Sequence, residues 1–357
     1  MLPTLDFIFT ASLLGPGTQV HEIGKREFLA GLGVGVTSAA AGQEAAAPAA
    51  GGYKPRRHNK AIELLEDGQP FYYIGADPRL PGYEQGRAMA GTWADAINWE
   101  MEHGTFDLAN LREFMKGLAD GGPTRSGHRF PTVIVSMPVL GYSEEYMYAN
   151  SWVVAQVLST GANALSLCHA RDPKAVEVYV AAARYPFDFP GLPKLRFDGM
   201  RGSGSQNLPS KIWGVPPNRY VNIADPWPLN PKGELLLGTK IEDKYALQNS
   251  EKILAQPGVG FAEGGGGDMQ MSLQGLDFFA DQGPPKNGDG QQHFAPVVQQ
   301  AQDRVLAACK ANKVSFLHAA TTLTIVDWIK RGATVIETNS EDVAKLGRAY
   351  TKRTMPV

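Results

Sequence analysis

Glu242 and Asp268 each follow a short apolar run. Residues 235–237, three leucines, lead through Lys240 to Glu242, and residues 259–262 lead through Glu263 and four glycines to Asp268. A helically patterned segment lies between them, so 234–268 reads as a parallel β/α unit with an acid at the tail of each strand. Carboxylates on neighbouring strand ends can share one hard divalent cation, because Mg2+ and Mn2+ prefer oxygen ligands and keep positions for water or substrate. His103 stands three residues after Glu100, behind another strand-like run. An imidazole titrates near neutrality and suits proton transfer. Ser136, His169 and Lys240 hold comparable places at or near strand ends. The plain alternative makes these solvated loop acids and structural histidines, as most such residues are.

The elements that must position these residues alternate regularly from Asn59 onward. Strands are predicted at 71–75, 95–99, 132–135, 164–167, 235–241, 259–262, 314–317 and 334–336. Helices are predicted at 59–66, 82–90, 107–118, 144–158, 172–183, 294–311, 322–331 and 341–351, several opened by an acidic cap. Eight strands alternating with helices point to a single (β/α)8 TIM barrel over residues 53–357. Two long stretches interrupt the alternation. Residues 186–232, rich in proline, glycine and aromatics, form an insertion between the fourth and fifth strands and read as a lid; residues 264–292 read as a second loop. In this register Glu100 and His103, Ser136, His169, Glu242 and Asp268 follow five successive strands. That is the face on which barrel active sites are built.

A net charge of −2 over 357 residues leaves no basic footprint for nucleic acid. Two cysteines, Cys168 and Cys309, do not make a disulfide framework. Residues 1–52 read as an export signal and linker: Lys25-Arg26-Glu27-Phe28-Leu29, then an apolar run 30–41, then small residues with A-x-A sites to 50. The apolar run is too short to span a bilayer. The expected location is periplasmic or exported, or cytoplasmic if the segment is not a true signal.

Taken together, Glu100-Met101-Glu102-His103-Gly104, Thr160-Gly161-Ala162, Arg184-Tyr185-Pro186, Gly199-Met200-Arg201-Gly202, Ile241-Glu242 and Gly267-Asp268 resemble the HpcH/HpaI class II aldolases, in order, over the region from about Asn59. The N-terminal Lys-Arg-x-Phe-Leu resembles a twin-arginine signal with lysine in the first place. The resemblance implies a barrel that uses Mg2+, Mn2+ or Co2+ to stabilise an enolate during aldol cleavage next to a 2-oxo or hydroxy acid, and assembly into trimers or hexamers. It implies Glu242 and Asp268 as metal ligands, His103 as general base or acid helped by Glu100, and the amides around Gly265, Gly266 and Gly267 as neighbours of a substrate carboxylate. Departures accompany it. Ser136 stands where the family places an arginine, and a hydroxyl lacks that fixed charge and fork of donors. Lys240 replaces a glutamine and can restore charge from the neighbouring strand, Cys168 replaces a proline, and His169 is placed to reach metal or substrate. The expected partners are an oxo acid and an aldehyde. Rival readings are a related metal-dependent lyase or hydrolase on a bulkier, aromatic substrate, and a non-catalytic metal- or ligand-binding barrel.

Overall fold

The computed structural model describes residues 52–277 and 294–357; the predicted export signal and part of the second predicted loop lie outside them. Among the described residues nine strands form: β1 (Phe71–Gly75), β2 (Ala96–Glu100), β3 (Thr132–Leu140), β4 (Ala164–Cys168), β5 (Pro226–Trp227), β6 (Leu235–Lys240), β7 (Phe261–Glu263), β8 (Ser315–Ala319) and β9 (Ala333–Glu337). All pair in parallel, in the order β4-β3-β2-β1-β9-β8-β7-β6, and a β4–β6 pairing closes the ring. β5 pairs only with Leu235 and Leu236 at the start of β6, and β7 pairs with β6 from Gly238. The result is a closed eight-stranded parallel barrel with helices outside, a TIM-barrel α/β fold.

Burial explains the closure. β4 (Ala-Leu-Ser-Leu-Cys) is buried at every position, and residues 235–239 of β6 are too, as strands covered on both faces require. Leu165, Leu167, Leu235 and Leu237 face the surrounding helices, while Ala164, Leu236, Phe261, Leu317 and Val335 fill the barrel interior with Phe71 and Tyr73. Gly238 is glycine for space: a Cβ there would lie 2.2 Å from the Phe261 ring. At the opposite end from the predicted site, Asn59 caps the helix Lys60–Glu66 and binds the backbone of Asn163 and Glu234. Asp95 gathers Lys60 (3.0 Å), Arg348 (3.2 Å) and Arg353 (2.7 Å). The beginning and end of the described chain are thereby locked onto the barrel floor.

Several element boundaries differ from the sequence reading. Residues 186–232 carry two helices, Asn207–Trp213 and Pro217–Ile223, besides β5. The first ends at Gly214 in the left-handed region (φ 68°), and the second takes proline at its first turn, where no N–H is needed. Residues 144–158 form two helices that meet at Asn150, and residues 267–274 are helical where a loop was expected. Ser136 lies within β3, which runs on to Leu140, and pairs with Glu100 and Ser166. No described helix is long and apolar enough to cross a membrane.

Candidate metal centre

The strand alternation sets what reaches the barrel mouth. Ser166 and Cys168 share one face of β4, and Lys240, the last residue of β6, brings its Nζ to 4.0 Å from Glu242 Oε2, two residues on. A cavity of about 130 Å3 on the barrel axis is lined from all eight closing strands, with Tyr73, Glu100, Ser136, Ser166, Lys240, Glu263 and Glu337 as its polar wall. A broader groove of about 790 Å3 opens beside it along Asp77, Arg79, Glu100, His103 and Asn339.

Two groups of potential ligand atoms stand at this rim, each with its members within 4.8 Å of one another: Glu102, Cys168 and Glu242, and Glu102, His169 and Asp268. The predicted pair Glu242 and Asp268 thus falls into two groups, joined by Glu102. In the sequence Glu102 stands out only as part of the Glu100–Gly104 motif, and its place directly before His103 is the one local sign of a role. The Glu102 side chain is buried, its Oε2 accepts from Lys240 Nζ at 2.5 Å, and its Oε1 receives no hydrogen bond among the described residues.

His103 is mostly exposed, with Nε2 3.5 Å from Asp268 Oδ2 and 3.6 Å from Glu102 Oε2. Glu100, expected to assist the ring, does something else: its Oε1 accepts the backbone N–H of Glu102 (2.5 Å) and of His103 (3.2 Å). It therefore braces the turn that presents both side chains. His169 adopts φ 44°, a left-handed backbone rare outside glycine. It is held there from both sides: its N–H donates to Glu242 Oε1 at 2.6 Å and its Nδ1 pairs with Asp243 Oδ2 at 2.9 Å. Strain retained next to a buried carboxylate is a mark of a functional position.

The glycine run divides. Gly265 is required by space, since a Cβ would lie 2.4 Å from Glu242 Cβ, and its amide is taken by the Ile241 carbonyl (3.1 Å). The Gly265 amide, expected to neighbour a substrate carboxylate, is thus already engaged within the chain. Gly266 and Gly267 begin the helix Gly267–Gln274, whose first-turn amides have no partner within the helix. Both also line a further cavity of about 180 Å3 with Phe294, Gln302 and His318. Residues 186–232 line none of these three cavities; Phe187, Phe189 and Phe197 instead enclose a separate cavity of about 300 Å3. Among the described residues the expected lid does not cover the site.

Charge at the rim is unbalanced. Burial, reinforced by Glu102 and Glu263 and only partly offset by Lys240, pushes the Glu242 carboxyl up to about 9. Burial likewise pushes Glu263 up to about 7, and it raises Glu337. Burial works against the Lys240 ammonium, yet the surrounding acids hold it above the ordinary lysine range. One lysine thus serves several buried acids. An oxygen-rich donor set, an orphaned buried oxygen on Glu102 and an excess of buried carboxyl groups fit a divalent cation.

No family model and no curated protein sequence matches the chain. Solved structures do resemble it. An HpcH/HpaI aldolase/citrate lyase family protein from Burkholderia cenocepacia J2315 is 23% identical with a TM-score of 0.57, over 82% of this chain and 97% of that one. An HpcH/HpaI aldolase from Desulfitobacterium hafniense DCB-2 is 18% identical with a TM-score of 0.54, over 82% and 93%. Citrate synthase SbnG is 15% identical with a TM-score of 0.54, over 83% and 96%. The chain shares the fold of these proteins, which carry different activities in their names.

Proposed function

We propose that the protein is a divalent-metal-dependent carbon–carbon lyase of the aldolase type, acting next to a 2-oxo or hydroxy acid. The observation that carries this reading is the convergence of Glu102, Glu242, Asp268 and His103 at the ends of β2, β6 and β7, on the face where barrel enzymes place their chemistry. Glu102, shared by both ligand groups, would hold the cation together with Glu242 or with Asp268, and the cation when bound would polarise a 2-oxo group and lower the cost of an enolate. His103 takes the proton of the hydroxyl on the carbon that becomes the aldehyde, while the bonding pair of the broken C–C bond stays with the oxo-acid fragment. Asp268 and Glu102 orient the ring, and Glu100 fixes the turn behind it. The amides at Gly266 and Gly267, at the start of the helix Gly267–Gln274, suit the substrate carboxylate, since a helix N-terminus favours an anion.

Ser136 bears on substrate choice. Its hydroxyl donates to Asn98 at 3.1 Å and leaves the axial cavity open where a long cationic side chain would fill it. Together with the groove beside His103, this room favours a substrate bulkier than pyruvate and a small aldehyde. The test is to incubate metal-loaded protein with 4-hydroxy-2-oxo acids of increasing size and follow release of the 2-oxo acid. Stoichiometric metal with no cleavage or condensation of any member sinks the reading and leaves a binding barrel.

A further inference from the structure

We propose that Glu102, Cys168 and Glu242 form a mixed oxygen–sulfur seat for a borderline divalent cation such as Zn2+ or Co2+, with the Cys168 sulfur as a direct ligand. This rests on the reading that the rim holds a divalent cation, and goes further by naming a sulfur ligand and hence the class of metal. Cys168 is the last residue of β4 and fully buried, on the strand face that Ser166 presents to the axial cavity. Its sulfur lies within 4.8 Å of carboxylate oxygens of both Glu102 and Glu242. The independent sign of a ligand is Glu102. This side chain is 3% exposed, Lys240 occupies Oε2, and Oε1 accepts no hydrogen bond among the described residues, meeting His169 Nε2 only at 3.7 Å. A cation can therefore take Oε1 without evicting Lys240. Thiolate shifts preference away from Mg2+ toward Zn2+ and its neighbours, whereas an all-oxygen seat does not. On binding, the S–H bond breaks heterolytically: the electron pair stays on sulfur and donates to the metal, and the proton leaves to solvent, with no change of oxidation state.

Co2+ alone is the probe, added to full-length protein stripped by chelator, with Zn2+ and Mg2+ affinities measured by competition. A near-ultraviolet thiolate-to-cobalt charge-transfer band is expected in the native chain and in Cys309→Ser, and its loss in Cys168→Ser and Cys168→Ala. Cys309 sits buried in the helix Pro296–Asn312, outside both ligand groups, and serves as control. Zn2+ affinity should fall at least about tenfold in Cys168→Ser while Mg2+ affinity holds. Cobalt bound without the band, or a Zn2+ over Mg2+ preference unchanged in folded Cys168→Ser, overturns the sulfur ligand and leaves the oxygen-only lyase reading standing. Absence of any bound divalent cation overturns both. A band without aldol cleavage of any substrate keeps the seat and removes the lyase.

Discussion

At the scale of single residues, the site is a contest between burial and charge. Glu242 ionises reluctantly because burial and neighbouring acids outweigh Lys240, so its environment is completed by a cation or by a proton. His103, by contrast, is mostly exposed and lies between two carboxylates, those of Glu102 and Asp268. His103→Ala should lower kcat by about 10²–10⁴-fold with metal content unchanged, the usual worth of general base catalysis. Metal analysis beside steady-state kinetics checks it, and an unaltered kcat removes His103 from the reaction. Ser136→Arg would place a guanidinium among Glu100, Glu263 and Glu337 in the axial cavity. The variant should improve turnover of pyruvate-sized substrates and weaken larger ones, read as opposite changes in kcat/KM across the size series.

At the scale of elements, the barrel floor carries stability that the rim does not. Asp95 joins the Lys60–Glu66 helix, the last helix and the C-terminal tail to the start of β2. Desolvation disfavours its charge, but Arg353 and Lys60 overcome that and hold its carboxyl well below the ordinary range. Its folded value is depressed, so the contribution is present above the unfolded value of about 3.9 and is lost as pH falls below it. Asp95→Ala leaves buried Lys60 and Arg353 unpaired and should cost about 3–5 kcal/mol in denaturant unfolding at pH 7. Glu234 behaves with the opposite sign. Burial pushes it up to about 7 against the pull of Arg57 and the N–H of Asn59 at 3.0 Å. A raised acid favours the folded state at low pH, so stability falls as pH rises between the unfolded value and about 7. Glu234→Gln should flatten that decline, a gain on the order of 2–3 kcal/mol at pH 8. A decline as steep as that of the native chain would count against it.

At the scale of the whole molecule, closure through β4–β6 brings residues from all eight closing strands into one polar mouth. Shared fold with an aldolase and a citrate synthase leaves the reaction to be decided by rim residues. Export belongs to this scale as well. The basic-apolar-small order of residues 25–50 leads us to expect cleavage near 40–50, and N-terminal sequencing of the protein from its native host reads it directly. A chain still starting at Met1 in the cytosolic fraction counts against export. A trimer or hexamer is expected from the resemblance, and light scattering on the metal-loaded protein measures it.

The sequence by itself determined the barrel and the rim positions of His103, Glu242, Asp268 and Lys240. Strand periodicity and strand-end placement are local properties, and in a (β/α)8 array local order dictates which side faces the chemistry. Short helices at 207–213, 217–223 and 267–274 escaped it, because proline and glycine mark both loop turns and helix ends. Only the tertiary structure decided which side chains meet. Glu100 turned to the backbone of its own turn, Gly265 spent its amide on Ile241, and Glu102 became the residue shared by both ligand groups. Cys168, met in the sequence as a departure from a motif, stands among those ligands because β4, ending at Cys168, pairs directly with β6, starting at Leu235, past β5 and the rest of the intervening chain. Such distances are set by packing of the closed sheet, where each neighbour depends on every other strand, and no local pattern encodes them.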